Sequence, residues 1–321
     1  MVAEDDNLKV SIAMVAYNHA RFLAQALDSV LSQKVDFDYE IIVGEDASQD
    51  DTASILQIYA EKYPDKVIPL IRKKNLGMTR NILDVLGHCT GEYIAFLEGD
   101  DFWISDNKLR RQIDFLDSNR DYSAAVHCSY VVDSKGEIQE NDFYSGEKED
   151  RDYLLENLER FELPFQTSSI VVRNYSEEFL GLAKKVMKND NFPADRLFPF
   201  FLLKKGKVRI LSEIMGAYRF YIEEGGTNWS SRYDIRAKNN YLYHDCVIRR
   251  VEQIAHKYGF QVNIANARGK LLYDSYLYAR RGHFFCWIQC LFMIVLGPKR
   301  VCMLKEFWRI HKENKRRYAR K

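Results

Sequence analysis

Apolar, strand-like runs begin near residues 10, 40, 67 and 93, and a polar or amphipathic stretch separates each from the next. A spacing of about 30 residues is the length of one strand, one crossover helix and the return. Val10–Ala16 (VSIAMVA) is β-branched and apolar, as a central strand requires. Phe22, Leu23, Ala26, Leu27, Val30 and Leu31 then recur at helical spacing. Glu40–Val43 is the second strand. Ser48 is placed to cap the following helix, with Asp50 and Asp51 in its first turn and Ile55, Ile58 and Tyr59 turned inward. Val67–Ile71 is the third strand, Arg80–His88 a helix and Tyr93–Leu97 the fourth strand. Right-handed crossovers make such units a parallel sheet with helices on both faces. The expectation is an α/β fold, Rossmann-like, with a mostly parallel central sheet flanked by helices.

The pattern changes further along. A helix is expected through Leu109, Ile113 and Leu116, a strand over Ala124–Val132 and a turn at Ser134-Lys135-Gly136. Asn141–Arg160 is charged and reads as a surface excursion. Ser168–Arg173, Val208–Leu211 and Met215–Tyr221 read as strands, and Phe179–Met187 and Leu197–Leu203 as helices. This half is expected to pair in mixed fashion. From residue 223 the chain turns helical, over Ile235–Tyr258 and Ala267–Arg281, then runs into Phe284–Leu296 and a basic tail. Two domains follow: residues 1–222 and a C-terminal helical extension, 223–321.

Three of the early strands end in polar clusters: Tyr17-Asn18, Glu45-Asp46, and Asp100-Asp101. A parallel sheet brings such ends to one edge, where open α/β folds bind ligands. Adjacent carboxylates repel and need a cation, a proton or water beside them. An isolated acidic turn is ordinary turn composition; aligned polar ends on consecutive strands are what a ligand site requires.

Composition narrows the class. Apolar residues make up 46% and charged residues 29%, as in an ordinary globular chain. The net charge of +1 hides an asymmetry. From Gly297 onward there are ten Lys/Arg against two Glu, a net of +8, so the first 296 residues carry −7. That argues against a nucleic-acid binder. The N-terminus lacks a basic-then-apolar leader, and the six cysteines include no CxxC pair, so they are expected to be reduced thiols of a cytoplasmic protein. The histidines show no zinc-binding spacing.

VSIAMVAYNHARFLAQALDSVLSQ, EIIVGEDASQDDT, NLGMTRN and GEYIAFLEGDDFW, in this order and spacing, resemble the family 2 glycosyltransferases over about residues 8–222. The resemblance implies a GT-A catalytic domain, inversion at the transferred sugar and a nucleotide-sugar donor, a UDP-sugar in the first instance. It implies donor contacts from Val15, Tyr17, Asp46, Arg80 and Asp100. The Tyr17 loop and Asp46 would meet the base, with Arg80 assisting, and Asp100 the ribose. It places Mg2+ or Mn2+ on Asp101 and the catalytic base at Asp195. Two positions depart from the family pattern: Glu45 stands where the second strand carries the first of two aspartates, and Ala194 precedes the base. The implied setting is surface polysaccharide or lipopolysaccharide assembly, with a saccharide or lipid-linked saccharide as acceptor.

The chemistry suits those residue types. A departing nucleoside diphosphate gains charge, and a divalent cation with hard oxygen ligands stabilises it. A single carboxylate within reach of the acceptor hydroxyl suffices as base. Bland alternatives stand beside each role: Asp46 as an Asx turn, Asp101 as a helix-capping loop acid, Asp195 as an N-cap, Tyr17 as a core tyrosine. Trp103 is a sugar-ring wall or a packing residue, and Arg219 and Trp229 flank Gly225-Gly226, a candidate cover. Two other classes compete. A nucleotidyltransferase needs a Gly-rich phosphate loop after the first strand, and Tyr17–Arg21 has no glycine. A non-catalytic nucleotide-sugar binding module would not need all four aspartates.

The tail carries its own expectation. Phe284–Leu296, as a helix about 20 Å long, falls short of the ~30 Å hydrocarbon core. Met303, Leu304, Phe307, Trp308 and Ile310 are expected to form one helical stripe bordered by basic residues. Such a pattern fits peripheral attachment to the inner face of the cytoplasmic membrane.

Overall fold

The computed structural model describes residues 8–139, 149–160, 162–164, 166–186, 194–222, 240–257, 259, 262–279, 288 and 300–318. Side chains at 194–196, 240–244, 278–279, 300 and 313–318 fall outside that description. The expectations for Gly225-Gly226, Trp229 and all of Phe284–Leu296 except Ile288 therefore lie outside the described residues.

The chain forms two compact units, residues 1–153 with 164–227, and residues 154–163 with 228–321. The first is built on a nine-stranded sheet. Its strands are β1 (Val10–Ala16), β2 (Tyr39–Glu45), β3 (Val67–Ile71), β4 (Tyr93–Glu98), β5 (Phe102–Trp103), β6 (Tyr122–Val132), β7 (Arg151–Tyr153), β8 (Val171–Arg173) and β9 (Lys207–Arg219). The spatial order is β3-β2-β1-β4-β8-β6-β9-β5, with β7 also on β9. β3, β2, β1 and β4 pair in parallel. β8 joins β4 and β6 antiparallel, and β6 pairs with β9 in parallel. Six of the nine strands thus share one direction; β5, β7 and β8 oppose it.

Helices cover both faces. On one, α1 (Leu23–Leu31), α2 (Thr52–Lys62) and α4 (Lys108–Ser118) carry Leu23, Leu27, Val30, Leu56, Leu109, Ile113 and Leu116 against Ile12, Met14, Ile41 and Leu97. On the other lie α3 (Met78–Leu86), α6 (Ser176–Val186) and α7 (Ala194–Lys205), where Phe179, Phe198 and Phe201 pack edge to face. Burial on both faces explains why the central strands are continuously apolar rather than alternating.

Three local expectations are corrected. Ser48 does not cap α2: its hydroxyl accepts the Asn18 N–H, and the helix starts at Thr52 after Asp50 and Asp51 rather than through them. Ile58 is 62% exposed, and Leu56 takes the inward place. Val208–Leu211 and Met215–Tyr221 are one bulged strand, β9, whose register against β6 shifts beside Cys128. The charged excursion also hides an edge strand, β7, held where Arg209 pairs with Asp152.

The second unit contains α5 (Leu155–Glu159), α8 (Asn240–Lys257), α9 (Ala265–Ala279) and α10 (Arg300–Tyr318). In α10, Met303 and Phe307 are buried, but Leu304 and Trp308 are 41% and 55% exposed. Neighbouring helical residues sit about 100° apart, so the single stripe expected from Met303 to Ile310 is divided between a packed side and an exposed side.

Candidate active site

The strand order 3-2-1-4 means that the chain leaves β1 toward β2 and β3, then returns to lay β4 on the other side of β1. The loops after β1 and β4 therefore diverge and open a crevice at the switch point. Val15 pairs with Gly44 on one side and Glu98 on the other, at the lip of that crevice. Tyr17 follows, half-buried, in a loop where Asn18 has a φ of 56°. This loop is latched to the one after β2. Asn18 N–H donates to Ser48 Oγ at 2.9 Å, His19 N–H to Thr52 Oγ1 at 2.8 Å, and Gln49 N–H to Asn18 Oδ1 at 2.8 Å.

Asp46 continues β2 and is 2% exposed. Its two oxygens accept the backbone N–H groups of Leu76 and Gly77, at 2.6 and 2.9 Å. The carboxylate thus fixes the loop that opens α3. Arg80, in the first turn of α3, is exposed.

The acidic turn after β4 is the densest feature. One oxygen from each of Glu98, Asp100 and Asp101 lies within 4.8 Å of the others. Gly99 lets the turn approach β1, because a Cβ there would stand 2.9 Å from His19 Nδ1 and 3.1 Å from the Val15 carbonyl. His19 Nδ1 is buried without a hydrogen-bond partner, and its Nε2 faces the half-buried Asp100 at 3.7 Å. Asp101 is 1% exposed. Its Oδ2 accepts from Gln166 Nε2 (2.5 Å) and Ser168 Oγ (2.6 Å), and its Oδ1 from Arg219 N–H (2.8 Å). Burial, then the charge of Asp100, push its carboxyl up to about 8.

Three crowded carboxylates, one of them driven toward its neutral form by burial and repulsion, are a donor set that fits Mg2+ or Mn2+. An ionised carboxylate offers about four lone-pair sites. Three of those on Asp101 are taken, so it could give a cation one, and Glu98 and Asp100 are the carboxylates placed to supply the rest of the protein's share.

Arg219 ends β9 and is 3% exposed. Its guanidinium donates to the carbonyls of Asp100 (2.8 Å) and Asp133 (3.1 Å) and to Gln25 Oε1 (2.8 Å), and it lies 4.3 Å from the centre of the Phe22 ring. It is a fixed strap of the acidic turn, where the sequence suggested a residue of a mobile cover. Trp103 is 4% exposed and donates its indole N–H to the Ser168 carbonyl, so it packs rather than lining a sugar site. Asp195 lies in the first turn of α7, and its side chain is outside the described residues.

The structure thus gathers Val15, Tyr17, Asp46, Asp100 and Asp101 on one sheet edge and sets Arg80 on the neighbouring helix. Reading the sequence missed Glu98, His19, Gln166 and Ser168 as parts of the site. Glu98 was visible in the same acidic run; Gln166 and Ser168 carry no periodic or motif signal.

The fold is shared with TarS from Staphylococcus aureus. Residues 1–349 of TarS, in complex with UDP-GlcNAc, superpose with a TM-score of 0.54 at 17% identity, covering 89% of this chain and 91% of that one. A longer TarS structure gives 0.58 at 21% identity, covering 91% and 50%. The GT-A arrangement is therefore established for this chain. The profile of glycosyl transferase family 2 matches residues 11–179, just over half the sequence, and the chain belongs to that family. EpsE of Bacillus subtilis, named as a glycosyltransferase, is 36% identical over 128 residues, 40% of this chain and 45% of its own length. An uncharacterized Mycobacterium tuberculosis protein is 28% identical over 234 residues, 71% of this chain and 63% of its own. The chain spans less than two thirds of the length of either relative.

Proposed function

We propose that the chain is an inverting glycosyltransferase that moves a sugar from a UDP-sugar to an acceptor hydroxyl in surface glycan assembly. The observation that carries this reading is the triad Glu98, Asp100 and Asp101 at the β1/β4 switch point, within a family 2 domain. TarS, of the same fold, binds UDP-GlcNAc, which supports a nucleotide-sugar donor.

In this reading the crevice between the Tyr17 loop and the acidic turn receives the nucleotide. Tyr17 offers a ring face to the base, and Asp46 with Val15 holds the floor beneath it. Asp100, half-buried and turned toward His19, accepts hydroxyl hydrogen bonds from the ribose. Glu98, Asp100 and Asp101 would hold Mg2+ or Mn2+, and the ion would supply positive charge to offset that of a departing diphosphate. Asp195 removes the acceptor hydroxyl proton from the face opposite the leaving group. The acceptor is a saccharide or lipid-linked saccharide presented at the inner face of the cytoplasmic membrane. Residues 1–222 are the catalytic domain, and 223–321 the extension that meets the acceptor's surroundings.

Nucleoside diphosphate release from UDP-, dTDP- and GDP-sugars, with Mn2+ or Mg2+ and with EDTA, tests this. Cation-dependent UDP release is the expected result. Pyrophosphate release would make the chain a nucleotidyltransferase, and tight UDP-sugar binding without release a binding module.

A further inference from the structure

Helix α10 carries two faces of different purpose. One packs on α9, where Phe307 meets Tyr273 and Tyr276 at ring-centre distances of 5.7 Å. The helices touch at Gly269, where a Cβ would stand 2.7 Å from the Met303 carbonyl. The opposite face is uncovered. Val301, Leu304 and Trp308 are 60, 41 and 55% exposed, at the i, i+3, i+7 spacing of a single stripe. Lys305 and Lys312, also exposed, lie on the same side, one and three turns beyond Val301. Both acids of the helix are elsewhere in its turn: Glu306 is buried and paired with Arg309, and Glu313 is one position past Lys312. From Lys312 to Lys321 the sequence adds Lys315, Arg316, Arg317, Arg320 and Lys321.

We propose that this outward face of α10 is an interfacial helix that seats on an anionic lipid surface. Leu304 and Trp308 would enter the headgroup–acyl boundary while Lys305 and Lys312 meet lipid phosphates. The charge pattern selects the occupant. A second copy of the chain docked face to face would set Lys305 and Lys312 against themselves, and like charges across an interface disfavour docking. An anionic leaflet offers an apolar layer and a negative surface together. No helix among the described residues is long and apolar enough to cross a bilayer, so the contact is in-plane. The proposal rests on the surface of α10 and not on turnover, so it can fail while the transferase reading stands.

The test is co-sedimentation of the full chain with vesicles of phosphatidylcholine alone, or with about one third phosphatidylglycerol. Wild type should partition at least ~10-fold more into the anionic vesicles, and lose most of that in ~0.5 M salt. Leu304→Glu/Trp308→Glu and Lys305→Glu/Lys312→Glu should each lower partitioning by ~10-fold. Both pairs change exposed side chains, and unaltered thermal melts would show that they fold. Ile58→Glu, on α2 and 62% exposed, should bind as wild type does. Equal partitioning into neutral vesicles would overturn the proposal. So would wild-type binding by both double variants, which would assign attachment to Phe284–Leu296. Loss of a dimer in those variants with no vesicle binding by wild type would assign the face to a second copy instead.

Discussion

Lys108 opens α4 with its side chain wholly buried and its ammonium without a hydrogen-bond partner. The Nζ sits 3.8 Å from the centre of the Trp103 ring. Burying an unpaired ammonium costs several kcal/mol, more than the about 2 kcal/mol that a desolvated cation over an indole returns, so burial favours the neutral amine. Burial holds the Lys108 amine well below its ordinary value of 10.5. A lysine of depressed folded pKa binds more protons unfolded than folded. Its contribution to stability is fully present above the unfolded pKa and is lost as pH falls toward the folded one, at up to ~1.4 kcal/mol per pH unit. Lys108→Met fills the same space with no proton to lose. Urea unfolding of both proteins from pH ~7.5 to ~9.5 should show the variant gaining most at the acid end, the difference shrinking by up to about 2.7 kcal/mol across the window. A difference flat to within about 0.3 kcal/mol would mean that Lys108 keeps its proton on folding, and the burial argument would be wrong.

Three further substitutions probe the site. Asp101→Asn removes a charge beside Asp100 but sets an amide N–H2 against the Gln166 amide, so stability should drop by about 1 kcal/mol while cation-dependent turnover falls ~100-fold; full activity in the variant or in EDTA refutes the cation role. Asp195→Asn should cut turnover by ~100-fold at nearly unchanged donor affinity; collapse of donor binding with normal turnover of bound donor would make it a donor ligand. Arg219→Lys cannot reach Asp100, Asp133 and Gln25 together, so calorimetry should show about 2 kcal/mol lost and the cation needed for half-maximal rate should rise, with the saturated rate least affected. An unchanged cation requirement would leave Arg219 with packing alone.

The first 120 residues were legible because β1, β2 and β4 are apolar and buried, the short edge strand β3 keeps its place in the ~30-residue spacing, and α1 and α4 show their stripes. The errors there are local. Ile58 sits at a helical spacing compatible with the core, yet Leu56 is the apolar residue that α2 buries. Ser48 had the chemistry of a cap, but the loop after β1 claimed its hydroxyl first. Past residue 120 the signal thins, because β7 and β8 have three residues each and α5 has five. In the site, the acids were visible since chemistry and spacing coincide in one run. Their partners were not: Gln166 and Ser168 lie 65 and 67 residues from Asp101. Nothing short-range marks a glutamine that will hold a carboxylate after folding.

That separation has a consequence for the growing chain. The acids of the turn are made before residue 102, but the Arg219 N–H that grips Asp101 comes 118 residues later, at the last position of β9. Closing so long a loop is entropically costly and slow, and β9 pairs with β5, β6 and β7, all of which precede it in the chain. A nascent chain therefore carries every charged group of the acidic turn long before it has their arrangement. Only a chain that already includes Arg219 can hold Asp101 as the finished protein does.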